Sequence, residues 1–318
     1  MKPMNKLAVD LIKKSIDMSR ELRVDVLNVG GATVVDAGVK ALGSFDMGII
    51  VSKVCLGGLA SVDLSPLFIE DMLLPAVAIS TDYPVEACMA SQLAGWRIRV
   101  GDFFANGSGP ARVLAKKPKK LFENIGYVEY SDEAALVLET SKLPNEDVVK
   151  YVSSETRIEP KNIYIVAVAP NSIAGSIQVS ARIVETGIFK LNTMGFDIRS
   201  IRYGFGSCPI APLHPDPLIM MGRTNDMLLY GGSTYYIVNY PDDEKLREYV
   251  ERAPSSSSKD YGKSFVELVK QFGEEILYKV DPNIFAPAIV IANNIISGKT
   301  FKAGRINPDI IKASIGLV

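Results

Sequence analysis

The chain has 318 residues, which suggests two domains of roughly 150 residues each. Apolar residues make up 47% and charged residues 22%, the balance of an ordinary globular protein with a core of useful size. Basic and acidic residues number 35 and 36, so the net charge of −1 excludes a general positive field for nucleic acid and leaves room only for a local basic pocket.

The few cysteines and the single histidine exclude several kinds of site. Cys55, Cys88 and Cys208 lie far apart and form no CxxC motif, which argues against a disulfide framework and a structural zinc site and favours a reducing cytoplasm. His214 is the one histidine, and in its proline-rich loop we expect a structural or solvent role. A three-histidine or HExxH metal site is impossible, and a serine or metal-dependent amidohydrolase is disfavoured.

The first 22 residues predict an amphipathic helix on the surface. Leu7, Leu11 and Ile12 recur at helical spacing. Charged residues such as Lys6 and Asp10 interrupt any apolar core, so we do not expect this segment to be a signal peptide. No apolar run approaches the roughly 18 residues that a membrane-spanning helix needs, and we expect no membrane contact.

Strand and helix patterns alternate along the chain, which predicts an α/β fold. Gly30-Gly31 is typical of a hairpin turn between two short strands. The predicted strands lie at 23–27, 32–36, 73–79, 96–100, 134–138, 163–169 and 234–240, the predicted helices at 85–93, 146–153, 221–232 and 264–272, and a final hairpin at 288–304. Residues 204–217 contain too much glycine and proline for regular structure, so we predict an irregular loop there.

The lysine-rich run at 116–120 is typical of a solvated face and also marks a link between two halves. We therefore expect an N-terminal α/β domain at 1–125 and a C-terminal α/β domain at 126–318. A return of the C-terminal hairpin to the first domain would make that domain discontinuous.

Arg182 and Glu185 stand three residues apart in an otherwise apolar run that follows a predicted strand. If this run is helical, the two side chains share a face, and the guanidinium and the carboxylate point into one space. By themselves the residues favour a structural ion pair, because such pairs are common outside active sites.

Two further stretches carry candidate ligand contacts. Ser108 and Gly109 lie in a run of small residues at a predicted helix start, where backbone N–H groups can cradle an anion and Arg112 can add a positive charge. A plain loop that enters a helix explains the same residues equally well. Glu139 ends the predicted strand at 134–138, and the carboxyl end of such a strand is where α/β proteins place ligand contacts.

Several sequence blocks together resemble one family. The blocks occur in the family's order and are Val54-Cys-Leu-Gly-Gly-Leu59, Ser91-Gln-Leu-Ala-Gly-Trp96, Gly107-Ser-Gly-Pro-Ala-Arg112, Gly175-Ser-Ile-Gln178, Arg182-Ile-Val-Glu185, Met221-Gly-Arg-Thr-Asn-Asp226, Lys259-Asp-Tyr-Gly262 and Phe285-Ala-Pro-Ala288. The chain resembles the methenyltetrahydromethanopterin cyclohydrolases over nearly its whole length.

The resemblance implies an enzyme of one-carbon metabolism in methanogenic or methylotrophic organisms. The implied reaction is the reversible hydrolysis of 5,10-methenyltetrahydromethanopterin to the 5-formyl derivative. The implied structure is two α/β domains with an open pocket between them, usually in a homotrimer. No metal and no prosthetic group are implied, because tetrahydromethanopterin is the one-carbon carrier and therefore a substrate.

The resemblance also implies roles for individual residues. Glu185 and Arg182 match the family's catalytic pair, with Glu185 as general acid and base and Arg182 orienting and tuning it. Glu139 matches the acid that ends the central strand, and Leu93 stands where some archaeal members carry a pocket lysine. The remaining candidates for the substrate are Gln178 and Ser172, for water or the pterin, and Ser108, Gly109 and Arg112, for the carrier's phosphate tail.

Two alternatives stay open from the sequence. The same ring-opening chemistry on tetrahydrofolate would need the same residues. A non-catalytic pterin-binding protein would keep the fold without needing the pair of Arg182 and Glu185, and both residues are present.

Overall fold

The computed structural model describes residues 2–272 and 276–317, and the chain folds as two units. Unit 1 comprises Met1–Ala60 and Glu86–Gln178, and unit 2 comprises Ser61–Val85 and Val179–Val318. Each unit is built from two stretches of chain, so the division differs from the expected boundary at residue 125. The α/β class is confirmed, because each unit combines helices with one six-stranded sheet.

The strands, in chain order, are β1 (Asp25–Val29), β2 (Ala32–Asp36), β3 (Ser61–Ile69), β4 (Met72–Thr81), β5 (Trp96–Val100), β6 (Phe103–Ser108), β7 (Ala134–Glu139), β8 (Ile163–Val168), β9 (Ile201–Pro209), β10 (Ser233–Val238), β11 (Ile289–Asn294) and β12 (Thr300–Gly304).

The α-helices are α1 (Met4–Asp17), α2 (Ser19–Leu22), α3 (Phe45–Cys55), α4 (Ala111–Ala115), α5 (Lys119–Ile125), α6 (Glu146–Thr156), α7 (Ile173–Ser180), α8 (Ile183–Thr193), α9 (Pro217–Asp226), α10 (Asp243–Arg252), α11 (Phe265–Phe272), α12 (Ile276–Lys279) and α13 (Pro308–Ile315). Two further segments, Val85–Gln92 and Met227–Gly231, are π-helical.

Sheet A belongs to unit 1 and has the strand order β1-β2-β8-β7-β6-β5. Its three central strands, β2, β8 and β7, run parallel, and the outer pairs are antiparallel. Alternate residues of these strands point to opposite faces, and both faces are covered. Val137 and Val166 pack on one face with residues of α1 and α3, and Leu136 and Ile165 pack on the other with residues of α6.

Sheet B belongs to unit 2 and has the strand order β12-β11-β10-β9-β4-β3. Only β10 and β11 run parallel, and the other neighbours are antiparallel. The hairpin of β3 and β4 joins this sheet through the pairing of β4 with β9. That long-range pairing explains why Ser61–Val85 lies in the second unit although it precedes most of the first.

Much of the predicted local structure is confirmed. The first hairpin turns at Gly30 and Gly31, β7 ends at Glu139, and a hairpin of β11 and β12 closes the sheet part of the chain. This last hairpin remains in unit 2 and does not return to the first.

The prediction of an irregular loop at 204–217 is wrong over its first half, because β9 extends to Pro209. The predicted helices at 85–93 and 221–232 are replaced by a π-helical segment in the first case and by α9 followed by a π-helical segment in the second.

A buried aspartate joins three helices of unit 2. Asp226, at the end of α9, accepts hydrogen bonds from the backbone N–H of Phe265 (2.9 Å) at the start of α11 and from the hydroxyl of Ser314 (2.7 Å) in α13. Burial raises the pKa of Asp226 to about 7, and the negative charge of Glu267 acts in the same direction. The structure therefore stabilises the protonated form of this side chain.

The replacement Asp226→Asn should make the stability of the protein less dependent on pH. The folded-state pKa lies above the unfolded value, so the stabilising contribution of Asp226 is present at acid pH and is lost as the pH rises through about 7. A shift of this size corresponds to roughly 4 kcal/mol at full ionisation. We expect the Tm of the variant minus that of the wild type to increase between pH 5 and pH 8.

Asn keeps an acceptor for Phe265 and a donor for Ser314, so the variant should fold. The exposed Asp309 of α13, replaced by Asn, is the control and should show no such trend. A Tm difference for Asp226→Asn that is equal at both pH values would contradict the account of this group.

Candidate active site

Three neighbouring strands of sheet A run parallel and end at the same edge of the sheet. Asp36 in β2 lies opposite Ala167 in β8, and Glu139 in β7 lies opposite Val168 in β8. We call this edge, defined by Asp36, Glu139 and Val168, the carboxyl edge. Open α/β sheets bind ligands beyond the carboxyl ends of their strands, so the carboxyl edge is the candidate site in unit 1.

Glu139 is held at the carboxyl edge by a glutamine. The side-chain amide of Gln178, in α7, donates a hydrogen bond of 2.5 Å to Oε2 of Glu139. Gln178 is 1% exposed, whereas Glu139 is only partly buried. Because a buried amide has few alternative rotamers, this bond fixes the direction of the Glu139 carboxylate.

Ser172 lies between β8 and α7 and closes the start of that helix. Its hydroxyl donates to the carbonyl oxygen of Ala169 (2.8 Å) and accepts from the backbone N–H of Gly175 (3.0 Å). The second bond satisfies one of the N–H groups that a helix leaves unpaired in its first turn. The structure thus brings Ser172 to the same edge as Glu139 and Gln178, in the role of a cap that places α7.

The stretch that carries Arg182 and Glu185 is two helices rather than one. α7 ends at Ser180, and Arg182 occupies the N-cap position of α8. Glu185 lies in the first turn of α8 and is 6% exposed, and Arg182 is partly buried. The two residues lie three positions apart at the start of one helix, the spacing at which side chains are expected to share a face.

The first turn of α8 packs directly on sheet B. The two glycines of β9, Gly204 and Gly206, face Val184 and Ile183, and a Cβ added to Gly206 would stand 2.8 Å from Ile183 and 2.9 Å from Val184. The hydroxyl of Tyr236, in β10, donates to the carbonyl oxygen of Val184 at 2.9 Å. These contacts fix the first turn of α8, and with it the backbone of Arg182 and Glu185, relative to sheet B.

A buried lysine anchors the other end of α8. Lys190 is 2% exposed, and its ammonium donates to the side-chain carbonyl of Asn283. Burial lowers the pKa of Lys190, Asp281 opposes this effect and Arg252 reinforces it. Burial of Lys190 was not predicted from the sequence, because one lysine in an amphipathic helix is ordinarily solvated. The apolar residues around it were the only signal for burial.

The loop around Ser108 lies away from the carboxyl edge. β6 is antiparallel to β7, with Asn106 opposite Glu139 and Ser108 opposite Val137, so the chain leaves β6 towards the amino end of β7. Ser108 is 1% exposed and Gly109 is buried. The structure therefore does not place Ser108 and Gly109 beside Glu139, and the helix that follows them, α4, is a single short turn.

Arg112 is fully buried, which does not fit the expected contact with an anionic tail. Its guanidinium donates to the carbonyl oxygens of Ser91 (3.0 Å), Ala90 (3.2 Å) and Lys117 (2.9 Å) and stacks over the ring of Phe122. The carbonyls of residues 90 and 91 belong to the end of the π-helical segment. Arg112 thus closes that segment, and we leave it out of the proposed site.

Leu93 follows the same π-helical segment and donates its backbone N–H to the carbonyl oxygen of Cys88 at 2.8 Å. Across residues 2–272 and 276–317, no three His, Cys, Asp or Glu side chains form a group that could hold a metal ion. In the same part of the chain, every helix is too short or too polar to span a membrane.

The α/β units and the acid and amide groups at the carboxyl edge are typical of an enzyme, and comparison with known families gives its class. The model of the family described as Cyclohydrolase (MCH) matches residues 3–315. The chain therefore belongs to this family, and it is a hydrolase that acts on a cyclic amidine.

Its relatives extend over the whole chain. The methenyltetrahydromethanopterin cyclohydrolase of Methanococcoides burtonii is 45% identical over 315 residues, which cover 98% of this chain and 98% of that protein. The protein of the same name from Methanocaldococcus jannaschii is 45% identical over 320 residues and 99% of each chain. That of Methanosarcina barkeri is 43% identical over 316 residues and 98% of each chain.

The replacement Arg112→Met should destabilise the protein. It removes the donor from at least two buried carbonyl groups, and each such group left unpaired costs roughly 1–3 kcal/mol. We expect the free energy of unfolding, measured with urea, to fall by about 2–4 kcal/mol. The matched control is Arg97→Met on β5, an exposed arginine of the same unit, which should change stability by less than about 0.5 kcal/mol. Equal stability of both variants would show that Arg112 has no structural role.

Proposed function

We propose that this protein catalyses the reversible hydrolysis of 5,10-methenyltetrahydromethanopterin to 5-formyltetrahydromethanopterin. The observation that carries the proposal is the identity of 45% with proteins named for this activity over nearly the full length of both chains. The tetrahydromethanopterin carrier enters and leaves as a substrate, within the one-carbon metabolism of a methanogen.

We also infer that the protein assembles as a homotrimer, which light scattering would test by a mass of three chains.

The chemistry asks for little beyond proton transfer. The methenyl carbon lies between two nitrogens in a cation and is already electrophilic, so neither a covalent nucleophile nor a Lewis acid is needed to activate it. Water is the nucleophile, and it must lose a proton as it attacks. The departing nitrogen must gain one as its bond to carbon breaks.

Glu185 supports both transfers in this proposal. Its carboxylate accepts the first proton from the attacking water, which gives a neutral hydroxymethylene adduct. The same carboxyl group then donates that proton to N10 as the bond between N10 and the one-carbon unit breaks. The second proton of the water is released as the formyl C=O forms, so the reaction yields one proton overall. General acid and base assistance of this kind typically contributes about 10²–10⁴-fold to the rate.

Arg182 orients Glu185 in this proposal. Their positions support it, since Arg182 is the N-cap of α8, Glu185 lies three residues later in the first turn, and this part of the helix is fixed on sheet B. A planar guanidinium with several donors restricts a carboxylate to few orientations. Arg182 thereby selects the orientation of Glu185 from which a proton is transferred.

Glu139, Gln178 and Ser172 bind the substrate or hold the groups that do. The partly buried carboxylate of Glu139 complements the positive charge of the methenyl cation, and Gln178 keeps it in one direction at 2.5 Å. Ser172 acts on both through the start of α7. The Glu139 carboxylate attracts the methenyl cation but not the neutral formyl product. It therefore strengthens binding of the cation relative to binding of the product.

The replacement Glu185→Gln should keep the fold and substrate binding and lower kcat by about 10²–10⁴-fold. An amide of the same shape neither accepts the proton of the attacking water nor returns it. Turnover is measured by the decay of the methenyl absorbance, and binding by titration with the same cation. The control is Glu248→Gln on the exposed side of α10, which should turn over at the wild-type rate. Turnover of Glu185→Gln near the wild-type value would refute the assignment.

The two alternatives make different predictions for the wild-type protein. We expect kcat/KM to be higher with the methenyl derivative of tetrahydromethanopterin than with that of tetrahydrofolate, because the relatives are named for the former. Higher activity on the folate derivative would favour the first alternative. Tight binding of either cation with no hydrolysis would favour a non-catalytic pterin-binding protein.

A further inference from the structure

A buried carboxylate stands at the carboxyl edge without a role in the chemistry described above. Asp36, the last residue of β2, is 1% exposed. Its Oδ1 accepts the backbone N–H groups of Gly38 (3.0 Å) and Val39 (2.7 Å), and its Oδ2 accepts those of Lys40 (2.9 Å) and Ala41 (3.1 Å). Both oxygens of one side chain thus hold four successive N–H groups of the following loop.

This loop, residues 37–43, lies directly against Ser172. A Cβ added to Gly38 would stand 2.4 Å from Oγ and 2.5 Å from Cβ of Ser172, and Gly38 has a φ of +148°. The backbone of Gly38 approaches the side chain of Ser172 so closely that only glycine fits there. Gly43, at the other end of the loop, donates its N–H to the carbonyl of Arg23 at 2.9 Å, which ties the loop back to unit 1.

A continuous series of contacts leads from Asp36 to Glu139. Asp36 holds Gly38, Gly38 packs on Ser172, and Ser172 caps α7 through the N–H of Gly175. α7 carries Gln178, whose amide holds the carboxylate of Glu139. All of these residues belong to unit 1.

We propose that Asp36 is a positioning residue for the reaction, which sets Glu139 and Gln178 by fixing the loop on which Ser172 and the start of α7 rest. This inference rests on the proposed function, because it assigns Asp36 to the same substrate site. The carboxylate is suited to the task because it is an acceptor at both oxygens and meets only donors. A site held within a fraction of an ångström needs such support, since a shift of about 1 Å can cost on the order of 100-fold in rate.

The replacement Asp36→Asn tests the proposal with the least change of shape. The amide oxygen of the asparagine still accepts two N–H groups. Its amide nitrogen is a donor and cannot accept the N–H groups of Lys40 and Ala41, so these two hydrogen bonds are lost and that half of the loop is released. We expect kcat/KM per folded molecule to fall by about 10- to 100-fold. The affinity for the methenyl cation, measured by titration, should fall as well, because Glu139 is no longer held in place.

Glu129 offers a matched control at the opposite edge of sheet A. It accepts the N–H groups of Met4 (2.7 Å) and Asn5 (2.9 Å), and Asn5 in turn accepts the N–H of Ala135 near the start of β7. Glu129→Gln should lower the urea midpoint much as Asp36→Asn does, but leave kcat/KM per folded molecule unchanged. If both variants keep wild-type kcat/KM once corrected for the folded fraction, Asp36 is only structural and the proposal is overturned.

A second pair of variants leaves Asp36 intact. Gly38→Ala should displace Ser172 and lower kcat/KM as Asp36→Asn does, whereas Gly101→Ala, at a φ of +58° with no atom within 4 Å of the added Cβ, imposes strain without a clash. Equal activity of these two variants would also overturn the proposal. The proposed function fails separately, and only if the wild-type protein itself does not hydrolyse the methenyl cation.

Discussion

The close contact between α8 and β9 is the constraint on which the position of the proposed catalytic pair depends. Gly204 and Gly206 leave no side chain between the strand and the helix, so Ile183 and Val184 pack against the backbone itself. Protein interiors are packed as densely as organic crystals. A helix and a strand in such close contact therefore fit together in one arrangement rather than in several. The turn that carries Arg182 and Glu185 is fixed in consequence, before any hydrogen bond of their own side chains is considered.

Unit 1 achieves the same precision by hydrogen bonds. At the carboxyl edge, Asp36, Ser172 and Gln178 each engage a defined donor or acceptor, and Glu139 is the last group in that series. Preorganised polar groups of this kind act on charge that develops in a reaction without having to reorient. The chain passes from one unit to the other within α7, so Gln178 and Arg182 are only four residues apart in sequence although they belong to different units.

Local patterns predicted the elements whose signals are local. The apolar run at β7 and the glycine turn between β1 and β2 both depend on neighbours in sequence. The strand β9 was not predicted, because its glycines allow a helix distant in sequence to pack closely on it. In the local sequence the same glycines are typical of a loop. The predicted contact of Arg112 with an anion does not fit the structure for a related reason. Small residues before an arginine are typical both of an anion-binding loop and of an arginine that caps a buried helix end. Only the full burial of the guanidinium distinguishes the two cases.

The central claim is that the Glu185 carboxylate carries the proton between water and the departing nitrogen. Chemical rescue tests it most directly: the turnover of Glu185→Ala is measured as formate is added, with Gln178→Ala measured in parallel. The account predicts that formate, a carboxylate small enough to enter the space left by the side chain, raises turnover in proportion to its concentration in Glu185→Ala and has no effect on Gln178→Ala. Turnover of Glu185→Ala at the wild-type rate without formate would contradict it.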